Sequence, residues 1–135
     1  MQPSPRAETE APPPSSVPSI IVPILAGISL VHFLNDIMQA VVPATFPVLQ
    51  RSLRLTYTEL GAIAFANSMT ASLAQPLIGW YTDRKPQPYL LLVGMSCTLL
   101  GMALLATAGA LGGIILAVML VGLGSAVFHP EASRI

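Results

Sequence analysis

Charge is what this sequence has least of. Lysine, arginine, aspartate and glutamate make up 9% of its 135 residues, six of each sign, where a water-soluble domain carries roughly 25%. The formal net charge is zero, so the basic footprint of a nucleic-acid binder is missing and no nucleic-acid partner is expected. A single cysteine, Cys97, excludes an internal disulfide and reads as reduced and structural. Neither H-E-x-x-H nor G-x-S-x-G occurs, nor any cysteine–histidine set of metal-ligand spacing, so no metal and no cofactor is expected.

What remains is apolar: 53% of the residues are hydrophobic and the mean hydropathy is +0.71. The few charges are also unevenly placed. Between Glu10 and Arg51 the one charged residue is Asp36, and none lies between Glu59 and Asp83 or between Lys85 and Glu131. A helix crossing the hydrocarbon core needs roughly 20 apolar residues. The first two gaps each hold one span, and the third holds two with a turn between them. Four transmembrane helices are therefore expected, at about 20–49, 57–81, 88–108 and 111–134. Backbone polar groups must be satisfied internally in lipid, and charge-free runs without two-residue alternation exclude a barrel. The fold class is all-α integral membrane.

Residues 1–19 contain six prolines, at positions 3, 5, 12, 13, 14 and 18. They have little to bury and are expected to form a disordered tail. A signal peptide is the alternative, but the tail carries two acids against one arginine, and the following apolar run exceeds an h-region of roughly 7–15 residues. Residues 20–135 form the transmembrane region. Thr56-Tyr57-Thr58-Glu59 predicts a capping box at the start of the second span. That span is dense in small residues (Gly61, Ala62, Ala64, Ala66, Ser68, Ala71, Ser72, Ala74), which permit close helix approach, so it is expected at the bundle centre. Pro76 should kink it. The third and fourth spans meet at a charge-free turn around Gly109 to Gly113. With the N-terminus inside, cytoplasmic segments hold Arg6, Arg84, Lys85 and Arg134 against Arg51 and Arg54 outside, which favours that orientation.

The chemistry concentrates in the first span. His32, Asn35, Asp36 and Gln39 are spaced i, i+3, i+4, i+7, which places them on one helical face. A carboxylate at mid-membrane depth costs ~3 kcal/mol on insertion scales and normally faces a partner or a water-filled path. Desolvation favours the neutral carboxyl, which makes Asp36 a candidate to load and release protons. His32, one turn earlier, could donate to it or titrate itself; a histidine held by a backbone carbonyl is the alternative. For Asn35 and Gln39, helix packing is preferred over substrate contact. Trp80 and Tyr81 suit the headgroup level. Glu131 and Arg134, three residues apart, are read first as an interfacial pair.

Gly79-Trp80-Tyr81-Thr82-Asp83-Arg84-Lys85, between the second and third spans, resembles the first half of the signature loop of the major facilitator superfamily, G-x-x-x-D-R-x-G-R-R. Pro86, Gln87 and Pro88 replace the second half. His32-Phe33-Leu34-Asn35-Asp36, followed by Gly122-Leu123-Gly124-Ser125-Ala126-Val127-Phe128-His129-Pro130-Glu131, is similar to the paired motifs of that superfamily's fosmidomycin-resistance branch. The resemblance implies a twelve-helix fold in two six-helix halves, of which this chain would be an N-terminal fragment needing the remaining helices. It also implies that Gly79, Asp83 and Arg84 form a conformational-switch loop on the cytoplasmic side. His129, Glu131 and Arg134 would then join the stripe along a proton and substrate path. Val118 stands where the superfamily's fourth-helix pattern has an arginine, so that arginine's role does not carry over.

The polar stripe and the resemblance together point to proton-coupled export of a small molecule or drug across the cytoplasmic membrane, with protons, substrate and the lipid bilayer as partners, and the resemblance implies that export is by antiport. One alternative is a complete four-helix multidrug exporter acting as a dimer. Another is a non-transporting scaffold subunit, which explains the small residues but not an acid and two histidines within the spans. An intramembrane enzyme ranks last.

Overall fold

The computed structural model describes residues 21–85, 87 and 89–132, the last four by backbone alone. The described residues form five helices: α1 (Ile21–Ala44), α2 (Phe46–Leu53), α3 (Tyr57–Arg84), α4 (Leu90–Thr107) and α5 (Leu111–Ala132). No strand occurs among the described residues. Among the described residues, three stretches are long and apolar enough to cross a membrane: Ile21–Leu53, Leu90–Thr107 and Leu111–Phe128. The four long helices follow the four expected spans. At 28 residues and ~1.5 Å per residue, α3 also has the length to cross. Its alanine, glycine, serine and threonine content dilutes its hydropathy, which is why composition alone singles out the other three.

The first span differs from the expected single helix. It breaks at Thr45, and the sequence supplies the cause. Proline lacks a backbone N–H, so Pro43 leaves the Gln39 carbonyl without its i+4 donor, and Pro47 does the same to the Pro43 carbonyl. The turn is re-satisfied locally. The Thr45 hydroxyl donates to the Val42 carbonyl at 2.7 Å, the Thr45 N–H donates to Val41 at 3.0 Å, and Val48 and Leu49 donate back to the Thr45 carbonyl. The short α2 then begins with proline in its first turn and closes on Arg54 in the left-handed conformation (φ 55°).

The start of α3 is the predicted capping box. The Thr56 hydroxyl accepts from the Glu59 N–H at 3.2 Å, and a Glu59 carboxylate oxygen accepts from the Thr56 N–H at 2.7 Å and its hydroxyl at 2.8 Å. Thr56→Ala is expected to destabilise the protein by ~1 kcal/mol, measurable as a lower midpoint of thermal unfolding in detergent, with Thr56→Ser close to wild type.

Packing overturns one expectation: the bundle centre is α5, not the small-residue helix α3. The core residues Ile114, Ala117, Val118, Val121, Ala126 and Phe128 all lie on α5 and have no exposed surface, and α5 carries the extensive contacts to both α3 and α4. Its glycines make this possible on two sides. A Cβ at Gly124 would collide with the Thr98 hydroxyl and lie 2.5 Å from the Gly94 carbonyl of α4, while one at Gly122 would lie 2.5 Å from the Asn67 carbonyl of α3. On α4, Gly101 meets the Ala117 carbonyl just as closely. By contrast, Gly61 and Gly79 of α3 face open space within 4 Å. Thr98, buried in the α4–α5 seam, satisfies its hydroxyl on the Gly94 carbonyl at 3.3 Å. Against this seam, α1 leans lightly, touching α5 and α4.

Candidate functional site

Two contacts fix how α1 lies on α5. The His32 ring packs on the Phe128 ring, centroids 5.1 Å apart and tilted by 46°, and Gln39 Nε2 donates to the Val121 carbonyl at 3.2 Å. A seven-residue advance on α1 matches a seven-residue retreat on α5, so the helices are antiparallel and Asn35 lies level with the buried Ser125.

Helical geometry then sorts the polar stripe. At about 100° per residue, Asn35 and Asp36 mark the two edges of an arc that contains His32 and Gln39. The Asn35 edge faces inward and is fully buried. The Asp36 edge faces outward. His32 Nε2 and Asp36 Oδ2 are 3.4 Å apart, across one helical turn, with side chains 41% and 54% exposed. Asp36 is therefore not enclosed by the described helices. It stands on the open side of the bundle with its imidazole partner.

Asn35 is the opposite case. Both its amide nitrogen and its amide oxygen are buried with no hydrogen-bond partner among the described residues, and an unpaired buried polar group costs roughly 1–3 kcal/mol. Gln39 makes a helix-to-helix contact through its bond to Val121.

Sequence reasoning missed Asn67 of α3. Its backbone carbonyl approaches Gly122 closely, and its Oδ1 is buried and unpaired. Asn67 and Gln39 both line a cavity of about 280 Å³ between α1 and α3, together with Ser68, Val42, Pro43 and Phe46. One signal was available in the sequence: Asn67 is the lone carboxamide between Glu59 and Gln75, in a helix otherwise made of small and apolar residues.

The loop residues lie at the far end of α3. The Arg84 guanidinium sits over the Trp80 ring, 4.0 Å from its centroid, and Nη1 donates to the Trp80 carbonyl at 3.2 Å. Asp83 is exposed in the same final turn, while Thr82 is buried and donates to the Gly79 carbonyl at 3.2 Å. The stripe and the loop are thus not brought together. Of the fourth-span residues, His129 and Glu131 are placed on α5 by backbone alone. Arg134 lies outside the described residues, as does the 1–19 tail.

The family model described as Major Facilitator Superfamily matches residues 28–135. The MFS-type transporter YfnC of Bacillus subtilis (strain 168) is 51% identical over 115 residues, covering 85% of this chain and 28% of that protein. The fosmidomycin resistance protein of Escherichia coli (strain K12) is 47% identical over 112 residues, covering 83% of this chain and 28% of that protein. The chain thus spans little more than a quarter of the length of these curated relatives. No solved structure matches it.

Proposed function

The chain belongs to the major facilitator superfamily, and from that premise we propose that it supplies the opening helices of a proton-coupled exporter of small molecules. The exporter works in the cytoplasmic membrane, with the N-terminus on the cytoplasmic side. The observation that carries this reading is the His32–Asp36 pair, 3.4 Å apart and half-exposed, in a helix with no other charged residue. A carboxylate in a span is retained where it meets a partner or a water-filled path, and His32 supplies such a partner one turn away.

In the cycle proposed here, Asp36 and His32 share a proton-loaded and a proton-free state. Loading neutralises Asp36 and weakens its hold on His32, whose ring is then held chiefly by Phe128. An anionic substrate would be recognised by cationic or donor groups, for which His32, His129 and Arg134 are the choices, with Glu131 pairing with Arg134. Gly79, Asp83 and Arg84 act at the cytoplasmic end of α3 as the conformational switch. Fosmidomycin is the substrate to test first, because a relative of nearly half-identical sequence is named for resistance to it.

The experiment is expression from the complete reading frame in a bacterium stripped of its own fosmidomycin exporters. Resistance should rise, and fosmidomycin added to inverted membrane vesicles should discharge a preformed proton gradient. Unchanged sensitivity together with an undisturbed gradient would overturn the proposal.

A further inference from the structure

We infer that the cavity between α1 and α3 is a subsite for an uncharged polar group of the transported molecule, one that both donates and accepts hydrogen bonds, such as a carboxamide or a pair of hydroxyls. The inference rests on the transport reading and adds the chemistry of the ligand.

Four features of the cavity point the same way. No charged residue lines it, so neither a phosphate nor an ammonium finds a counter-charge there. Its polar groups are complementary in kind. Gln39 spends Nε2 on the Val121 carbonyl, which leaves Oε1 as an acceptor. Asn67 turns Oδ1 inward, where it is buried, which leaves Nδ2 as a donor, and the Ser68 hydroxyl can serve in either sense. Backbone adds to the set: Pro43 deprives the Gln39 carbonyl of its helical partner, beside the helix break at Thr45. Finally, Val42, Pro43 and Phe46 form an apolar wall, and a volume of about 280 Å³ suits part of a small molecule rather than a macromolecule.

The subsite also has a defined relation to the charged pair. Gln39 follows His32 by seven residues, which at 1.5 Å per residue is about 10 Å along α1. One extended molecule could therefore place a charged end at His32 and a neutral polar end at Gln39 and Asn67. A site built to hydrogen-bond its ligand loses much affinity when one partner becomes apolar, because the others are left unpaired.

The test uses fosmidomycin as the probe and the protein from its complete reading frame. Ala64→Cys, which also lines the cavity and is given no hydrogen bond to the ligand, is introduced with Cys97 and every other cysteine of the complete reading frame changed to serine, and its labelling by N-ethylmaleimide in vesicles is followed. Fosmidomycin should slow labelling, and adding Asn67→Leu should raise the concentration needed for half-protection by about tenfold. Asn67→Gln, which keeps the amide, should recover part of that loss, a rescue that a purely structural role for Asn67 does not predict. Wild-type resistance combined with labelling that fosmidomycin does not slow removes the subsite and leaves the transport reading standing. Absence of resistance in the wild type removes both.

Discussion

An Asp36→Asn protein is expected to reach the membrane at its normal level and to export nothing. Asn is nearly isosteric with Asp and keeps its hydrogen-bonding capacity, but it cannot take up and release a proton. The structural cost is small, because the amide keeps the shape of the carboxyl and can still hydrogen-bond His32 across the helical turn. The functional cost is complete if Asp36 carries the coupled proton: resistance falls to that of cells with an empty vector, and the vesicle gradient no longer responds to fosmidomycin. His32→Gln, which removes the partner and leaves the carboxyl, should give an intermediate loss. Full export by the Asp36→Asn protein would show that the coupled proton is carried elsewhere.

The second large effect concerns stability. Gly124→Val should be the most damaging single substitution in the described bundle. A Cβ there meets the Thr98 hydroxyl and amide nitrogen and the Gly94 carbonyl. Two of these are backbone, so no side-chain rotation relieves the clash and α4 must move off α5. Overpacking of this kind costs typically ~1–3 kcal/mol and sometimes more, and the upper end is expected because the obstructing atoms are fixed. Gly61→Ala gives the opposite sign. Nothing lies within 4 Å of its Cβ position, so the change removes a helix penalty of ~0.8–1 kcal/mol without a clash. Thermal unfolding of the two purified variants in one detergent should bracket the wild type. A Gly124→Val protein as stable as wild type would mean that α4 and α5 are not packed as described.

The sequence announced the features that depend on neighbours along the chain. The capping box needs only Thr56 and Glu59, three residues apart, and both of its backbone hydrogen bonds form. The charge-free runs and the turn near Gly109 placed the long helices to within a few residues. The break at Thr45 was also written locally, in prolines four apart, yet hydrophobicity runs unchanged through it and conceals it. What could not be read were pairings across many residues. Counting small residues favoured α3 as the centre, but a glycine helps only where another backbone comes close. Gly122 and Gly124 meet theirs across seams that join residues distant in sequence. The stripe on α1 was legible as a face. Its division into a buried edge at Asn35 and an open edge at Asp36 depended on where α5 lies, and so did the role of Asn67.

The uneven attachment of the helices has a mechanical consequence. Helices α3 and α4 are each joined to α5 where backbone meets backbone at glycine, a connection with no flexible side chain between the two. The seat of α1 includes the Gln39 amide on a carbonyl and the His32 ring on Phe128, and a joint at Thr45 lies just past it. The side chains proposed to sense the proton and the ligand are therefore also fasteners. In the proposed cycle Asp36 takes a proton and slackens its hold on His32, and the load on α1 changes with it. In that cycle, sensor and latch are the same part, and α1 is the lever they release.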